Sequence, residues 1–222
     1  MRVLVACEYS GVVREAFRAK GHDAWSCDLL PAEDGSVWHY EDDVIKVASA
    51  RNILTGKSSW DLMIAHPPCT YLCNSGVWAL YANSSYDGLV ENGIDPIKVE
   101  KRWKNLEDAR AFFMALWDQP IPKICVENHG YAQLPKYSQT IQPYHFGDDA
   151  SKRTCIWLRG LPKLIIPESD GWYPPRIVNG KKRWSNQTDS GQNKLPPSEH
   201  RGHDRSKTYA GIARAFADNW GS

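Results

Sequence analysis

The sequence predicts an α/β protein with a mostly parallel sheet and helices on both faces, and two observations lead to this class. The first is the succession of an apolar strand RVLVAC at 2–7, a helical pattern VVREAFRAKG that ends at Gly21, and a second strand at 22–28. The second is a pair of further strand-like runs at 60–66 and 120–128. Strands that alternate with helices are typical of parallel sheets, because each parallel connection has to cross a face of the sheet.

The remaining elements follow from the same kinds of pattern. Apolar residues recur at helical spacing over 106–118 and over 208–220, so both stretches are predicted helices. The short apolar runs 153–160 and 162–166 are predicted to form a hairpin of two strands. Residues 74–105 have a mixed composition and are predicted to form a mobile segment or an inserted helix.

The composition excludes several classes of protein. The 222 residues carry a net charge of +1, so the chain as a whole does not attract nucleic acid electrostatically. No apolar stretch approaches the roughly 18 residues of a membrane span, and we expect no membrane contact. No secretion signal is recognised, so the six cysteines are expected as reduced thiols. Cys69 and Cys73 lack a second Cys or His pair at zinc-site spacing, so no metal is expected.

One segment concentrates the positive charge. Between residues 175 and 207 the chain has eight Lys or Arg against three Asp or Glu, a local excess of +5. The surrounding stretch 161–205 is loop-rich, and we interpret it as separate from a main domain formed by 1–160 and 206–222. The segment is either a solvated loop or a nucleic-acid contact. In the second case its basic residues would contact phosphates and Trp184 would stack on a base; these basic residues are Arg176, Lys181, Lys182 and Arg183.

Residues that could bind a ligand or take part in catalysis follow four predicted strands at their carboxyl ends. In a parallel sheet these ends meet at one rim, where ligands bind. The four strand ends are Cys7-Glu8-Tyr9-Ser10-Gly11, Asp28, Pro67-Pro68-Cys69 and Glu127-Asn128.

Asp28 favours an adenosine cofactor. An acid at the end of the second strand commonly accepts hydrogen bonds from ribose hydroxyls. The turn CEYSGVV lacks the G-x-G-x-x-G pattern of diphosphate binding, which favours an adenosine cofactor without phosphates. The alternative is that Asp28 caps or solvates a loop.

Cys69 and Glu127 favour nucleophilic chemistry. Two prolines stop the strand before Cys69, a setting that a core cysteine does not need, so we interpret Cys69 as a nucleophile. The alternative is a buried, inert thiol. Glu127 ends a strand of Ile, Cys and Val, so we expect burial to raise its pKa and suit it to donate a proton. The alternative is a structural carboxylate paired with Lys or Arg.

Together these stretches resemble the cytosine-C5 DNA methyltransferases, in particular their compact phage and prophage forms. The resemblance rests on CEYSGVVREAFRAKGHDAW with the acid of SCD, on HPPCTYLC, VENHG and SKRTCIWL, and on the C-terminal SKTYAGIARAFADNW. It implies a Rossmann-like, S-adenosylmethionine-dependent methyltransferase fold. It also implies DNA as the partner, with the target cytosine flipped out, and the cytoplasm of a bacterium or phage-infected cell as the location. Residues 161–205 would then be a reduced target-recognition region.

The resemblance further implies roles for individual residues. Cys69 would attack C6 of cytosine, Glu127 would protonate N3, and Arg153 would contact the ring near O2. Asn128 would hold the loop of Cys69. The implied cofactor-binding residues are Tyr9, Ser10, Gly11, Asp28 at the ribose, Asp43 at the adenine, and Pro67. The implied substrate-binding residues are Thr70, Lys152, Arg176, Lys181, Lys182 and Arg183.

Two alternatives stay open. The segment 161–205 offers only about 45 residues for target recognition, which admits the same chemistry on a free pyrimidine nucleotide or with a modified transferred group. Thr70, His129 and Ser151 replace residues that are usual in the family, which admits a non-catalytic nucleic-acid-binding module.

Overall fold

A seven-stranded sheet forms the centre of the computed structural model, which describes residues 1–72, 95–130, 134–196 and 206–221. The strands lie in the order β3-β2-β1-β4-β5-β7-β6. β7 runs antiparallel to both of its neighbours, and the other pairs are parallel. The predicted Rossmann-like α/β class is confirmed. The strands are β1 (Arg2–Ala6), β2 (Asp23–Asp28), β3 (His39–Glu41), β4 (Leu62–Ala65), β5 (Lys123–Asn128), β6 (Gln139–Ile141) and β7 (Thr154–Arg159).

Helices cover both faces of this sheet. They are α1 (Val12–Arg18), α2 (Val44–Ala48), α3 (Pro96–Trp117) and α4 (Ala210–Trp220). Val3 of β1 belongs to the core that contains Phe17 of α1, whereas the next residue, Leu4, belongs to the core that contains Phe113 of α3. Because successive side chains of a strand point to opposite faces, a sheet buried on both sides needs the near-continuous apolar runs seen in the sequence.

Helix α3 begins earlier than predicted. It starts at Pro96 rather than 106, so the last part of the stretch 74–105 is helical. The side chain of Asp95 caps it by accepting a 3.0 Å hydrogen bond from the backbone N–H of Ile97. An N-cap Asp followed by Pro at the first helical position is a sequence signal for this start. Residues 73–94, which include the rest of the predicted irregular segment, lie outside the described residues.

The predicted hairpin of 153–160 and 162–166 is wrong in its second strand. Residues 162–166 form no strand, and β7 pairs instead with β5 and β6. Side chains satisfy the backbone of this stretch: Gln139 accepts from Leu164 N at 2.9 Å and donates to Leu164 O at 3.0 Å. Trp220 Nε1 donates to Pro162 O at 3.0 Å. An apolar extended run therefore lies beside the sheet without joining its ladder.

The segment after β7 contains a hairpin of its own. Strands β8 (Arg176–Val178) and β9 (Lys181–Arg183) pair antiparallel. Trp184 is 7% exposed and stacks on Tyr144, with ring centroids 4.1 Å apart and an interplanar angle of 7°. Trp184 is therefore largely buried with one face against Tyr144, and its stacking on a nucleic-acid base stays a prediction. Residues 197–205 of the segment lie outside the described residues.

Among the described helices, none combines the length and apolar character needed to cross a membrane.

Candidate functional site

The candidate site lies at the carboxyl ends of β1, β4 and β5. β4 and β5 are parallel neighbours with Ala65 opposite Val126, so the next residues, His66 and Glu127, follow side by side at the end of this ladder. His66 Nδ1 lies 3.1 Å from Glu127 Oε2. Neither side chain has much solvent contact, with 8% of His66 and 15% of Glu127 exposed.

A second bond ties the Cys69 segment to β5. The Asn128 side chain is buried, and its Nδ2 donates to the carbonyl oxygen of Pro67 at 2.8 Å. Cys69 itself is half-buried and begins a turn in which Leu72 N donates to Cys69 O at 3.0 Å. Thr70 is exposed beside it. Cys69 therefore lies on a short segment that is held at the rim next to Glu127.

The structure reverses one expectation for Glu127. Burial pushes the pKa of this carboxyl upward, but the hydrogen bond from His66 and the positive charge of Lys152, together with His66 and His129, outweigh it. The pKa of Glu127 falls to about 2, so the predicted rise is wrong. In the absence of a substrate Glu127 is an ionised carboxylate, and the sequence could not show this because His66 and Lys152 are distant from Glu127 along the chain.

The two basic residues before β7 lie at the same end of the sheet. Because β7 is antiparallel, its first residues face the end of β5, with Asn128 opposite Cys155. Arg153 Nη2 donates to the Tyr137 hydroxyl at 2.9 Å, and its guanidinium lies 5.5 Å from the Tyr137 ring centroid. Lys152 acts on Glu127 through its charge.

Glu8 organises the turn after β1, and the sequence reasoning assigned it no role. It is 5% exposed and accepts hydrogen bonds from Val13 N at 2.7 Å, Arg14 N at 3.2 Å and Ser10 Oγ at 3.4 Å. Burial raises the pKa of Glu8, against the opposing effects of His66, the two backbone N–H groups and Arg14. His66 was missed in the same way. The signal for both was their place at the end of an apolar strand.

Gly11 has a structural reason to be glycine. Its φ is +75°, a left-handed conformation that glycine adopts without steric cost. A side chain there would also overlap the guanidinium of Arg14, which is fully buried and pairs with Asp34. The Glu8 carboxylate accepts hydrogen bonds from backbone N–H groups at the start of α1, and so caps this helix.

Two acidic residues lie near Cys7: Asp28 at the end of β2 and Asp43 at the N-cap of α2. Asp28 Oδ1 accepts from Leu30 N at 3.0 Å, so this carboxylate also shapes its own loop, as the alternative interpretation proposed. Asp43 caps α2 by accepting from Ile45 N at 2.8 Å. Burial raises the pKa of the Cys7 thiol, and the charges of Asp28 and Asp43 add to this effect. Both acids are therefore close to the rim, although each also supports the backbone.

A small cavity opens between the turn after β1 and the segment before α4. Its volume is about 40 Å³, room for only a few water molecules. Carboxylate and hydroxyl groups line it, and these suit the ribose and amino-acid groups of an adenosine cofactor. A nucleoside needs more room, so binding has to widen the cavity. The lining residues are Cys7, Glu8, Tyr9, Ser10, His66, Ser206, Lys207 and Thr208.

One wall of this cavity is held by a surface ion pair. Lys207 Nζ lies 2.5 Å from Glu33 Oε1, and both side chains are more than a third exposed. Exposed pairs of this kind contribute at most about 1 kcal/mol. Breaking this pair alone would therefore cost little energy.

The basic hairpin docks at the rim end of the sheet. Ser185 N donates to Asp149 Oδ1 at 2.9 Å, and Ser151 N donates to Asn186 Oδ1 at 3.0 Å, just before β7 begins. Arg176 pairs with Asp189 at 2.5 Å. The remaining predicted phosphate contacts differ in their partners: Arg183 Nε donates to Asp189 O at 3.1 Å, whereas Lys181 and Lys182 are exposed on β9.

Within the part of the chain that the structure describes, no three His, Cys, Asp or Glu side chains cluster as metal ligands would.

No protein-family model matches the sequence, and no curated protein matches it. Among solved structures, the chain is similar to a candidate DNA modification methyltransferase encoded within an E. coli prophage. The similarity has a TM-score of 0.43 and a sequence identity of 12%, and it covers 81% of this chain and 53% of that structure. This chain thus spans about half the length of the protein to which it is similar.

Proposed function

We propose that this chain transfers a methyl group from S-adenosylmethionine to C5 of cytosine in DNA, through a covalent bond between Cys69 and the base. The observation that best supports this proposal is the pair of bonds across β4 and β5. Asn128 Nδ2 donates to Pro67 O at 2.8 Å, and His66 Nδ1 lies 3.1 Å from Glu127 Oε2. The segment that carries the Cys69 thiol and the Glu127 carboxylate therefore lie at the same rim of the sheet.

The chemistry explains why both groups are needed. C5 of cytosine is a poor nucleophile until a sulfur is bound at C6 and N3 carries a proton. The Cys69 thiolate forms the Sγ–C6 bond while Glu127 passes a proton to N3. After C5 has gained the methyl group, a base removes the C5 proton, the electron pair of the C5–H bond expels Cys69 from C6 as the thiolate, and N3 returns its proton to Glu127. An enzyme that methylates an exocyclic amino group would need no thiol.

The bound cofactor supplies a methyl group that is activated by a sulfonium. In the proposal Asp28 holds the ribose, Asp43 lies at the adenine, and Pro67 borders the transferred group. Tyr9, Ser10 and Gly11 form the turn against which the cofactor lies. Tyr9 and Ser10 line the small cavity beside this turn, together with the Glu8 carboxylate and the hydroxyls of Ser206 and Thr208, and these groups suit the polar parts of the cofactor.

The substrate would approach from the side of β7 and the hairpin. Arg153, Lys152 and Thr70 lie next to the thiol segment or the end of β5, where a flipped cytosine would be held. Lys181 and Lys182 extend from the hairpin that docks at this end of the sheet, and they would contact phosphates.

The test is to incubate the full chain with isotope-labelled S-adenosylmethionine and cytosine-containing DNA, and to identify the product nucleosides by mass spectrometry. We expect 5-methylcytosine from the natural chain and none from Cys69→Ser. Cys73→Ser is the matched control and should retain activity. Full activity of Cys69→Ser would overturn the covalent mechanism, and a different modified base would overturn the assignment of the reaction.

A free pyrimidine nucleotide is a second candidate substrate. The Asp189 carboxylate pairs with Arg176, which reduces the charge that the hairpin offers to a DNA backbone. The same assay with dCMP in place of DNA separates the two substrates. Transfer to DNA alone would eliminate the nucleotide.

A further inference from the structure

His66 interacts with two buried carboxylates, Glu127 of β5 and Glu8 just after β1. Its Nδ1 faces Glu127 Oε2 at 3.1 Å, and its charge acts on Glu8 at the end of β1. Since an ionised carboxylate only accepts hydrogen bonds, Nδ1 carries the hydrogen in this contact. The ionised Glu127 thereby fixes His66 Nδ1 as the donor and Glu127 Oε2 as the acceptor of this bond.

The other ring nitrogen of His66 has no hydrogen-bond partner among the described residues. Nε2 is buried, and His66 is one of the residues that line the 40 Å³ cavity with Glu8, Ser10 and Lys207. A buried imidazole nitrogen without a partner is costly, because it has lost water without gaining a replacement. A cavity with room for a few waters would give this nitrogen a route to exchange protons.

The proposed reaction requires a proton that Glu127 does not hold. Glu127 is ionised, with His66, Lys152 and His129 all favouring the charged form. Protonation of cytosine N3 therefore needs a donor that already touches this carboxylate. Lys152 and His129 act on Glu127 through charge, whereas His66 is within hydrogen-bond distance.

We propose that His66 is a proton relay: it passes the Nδ1 proton to Glu127 Oε2 when the pyrimidine binds, and it exchanges protons with the cavity through Nε2. This inference rests on the proposed function. In the forward direction the Nδ1–H bond of an imidazolium breaks, Glu127 gains and then gives the proton to N3, and neutral His66 remains. The proton returns by the same path when the Sγ–C6 bond breaks. The charges of Glu8 and His66 attract each other, and Lys207 also lines the cavity.

The alternative to a proton relay is that His66 only orients the Glu127 carboxylate. His66→Asn separates the two, because the side-chain amide nitrogen of Asn occupies the position of Nδ1 and donates a hydrogen bond but has no proton to transfer. A relay predicts that His66→Asn lowers the rate of methyl transfer by about 10²-fold or more. It also predicts that His66→Ala regains activity when imidazole is added.

A second measurement does not depend on activity. Carboxyl-¹³C glutamate labelling, with Glu127→Gln to assign the signal, gives the titration of Glu127 by NMR. We expect the pKa of Glu127 to rise in His66→Asn, because the imidazolium charge is lost. It should stay unchanged in His22→Asn, a histidine at the opposite end of the sheet just before β2.

The outcomes are distinguishable. A rate for His66→Asn within about threefold of the natural chain, or a Glu127 titration that does not move, overturns the relay. If the natural chain transfers no methyl group while His66 and Glu127 titrate as a coupled pair, the proposed function fails and the proton coupling stands.

Discussion

Asn128 Nδ2 donates a 2.8 Å hydrogen bond to the carbonyl oxygen of Pro67, and this bond joins the carboxyl ends of β5 and β4. Parallel strands are connected by their ladder only up to Ala65 and Val126. Beyond that point the Asn128 side chain adds a direct tie from β5 to the chain that leads to Cys69. The bond therefore couples the stability of the strand ends to the placement of the thiol.

Removing the hydrogen bond between Asn128 and Pro67 should lower the stability of the protein and disturb the position of the Cys69 thiol. We expect Asn128→Ala to lower the free energy of unfolding by about 1–3 kcal/mol, because the buried Pro67 carbonyl loses its donor. Urea denaturation measures this change, and methyl transfer should fall with it. Asn128→Asp is the matched variant: it keeps the acceptor for His129 N, 2.7 Å away, but cannot donate to Pro67. If Asn128→Asp had the same stability and activity as the unsubstituted chain, the bond would not be what positions Cys69.

The lowered pKa of Glu127 should make the fold sensitive to acid. A carboxyl whose folded pKa lies below its unfolded value stabilises the protein above the unfolded pKa, and this contribution is lost as pH falls toward the folded value. For a shift from 4.5 to about 2, roughly 2 kcal/mol should be lost between pH 6 and pH 3.

Urea denaturation of the natural chain and Glu127→Gln at both pH values measures this term. The difference between the two pH values should be smaller in Glu127→Gln. Glu8 has a raised pKa and acts in the opposite direction, but both proteins contain it, so its effect cancels. An equal loss in both proteins would contradict the ionised state of Glu127.

Loosening the wall of the cavity should speed cofactor binding. In Glu33→Ala, Lys207 loses the ion pair that holds residues 206–208, whereas the backbone bond from Glu33 N to Tyr9 O remains. We expect S-adenosylhomocysteine to bind about two- to fivefold faster, measured by stopped-flow fluorescence. Asp218→Ala, which removes the exposed pair with Lys20, is the control. Slower binding in Glu33→Ala would mean that the closed wall is part of the binding site.

Phosphate contacts of the hairpin should appear in the salt dependence of DNA binding. Lys181→Gln and Lys182→Gln should each weaken binding and reduce the slope of log K against log salt by about 1. Lys57→Gln makes the same change of charge before the amino end of β4, away from the rim, and serves as the control. If all three variants change the slope equally, the hairpin is not the DNA contact.

Local pattern was sufficient for the elements that are long and apolar. β1, β2, β4, β5 and β7, the helix after β1 and the C-terminal helix lie where the sequence predicts them, because each has to bury apolar residues on the sheet. Strand β3 and helix α2 have three and five residues, too few for a clear periodicity. The run 162–166 has the composition of a strand, but side chains distant in sequence took its hydrogen bonds.

The same distinction between local pattern and tertiary contact applies to the candidate site. The sequence by itself determined that Cys69, Glu127 and Asn128 follow two apolar strands, since a break from apolar to polar residues marks where a strand leaves the core. Only the tertiary structure decided the charge of Glu127, because His66 comes from β4 and Lys152 from the approach to β7. Electrostatic energy depends on distance in space and on burial. Neither quantity can be read from the spacing of residues along the chain.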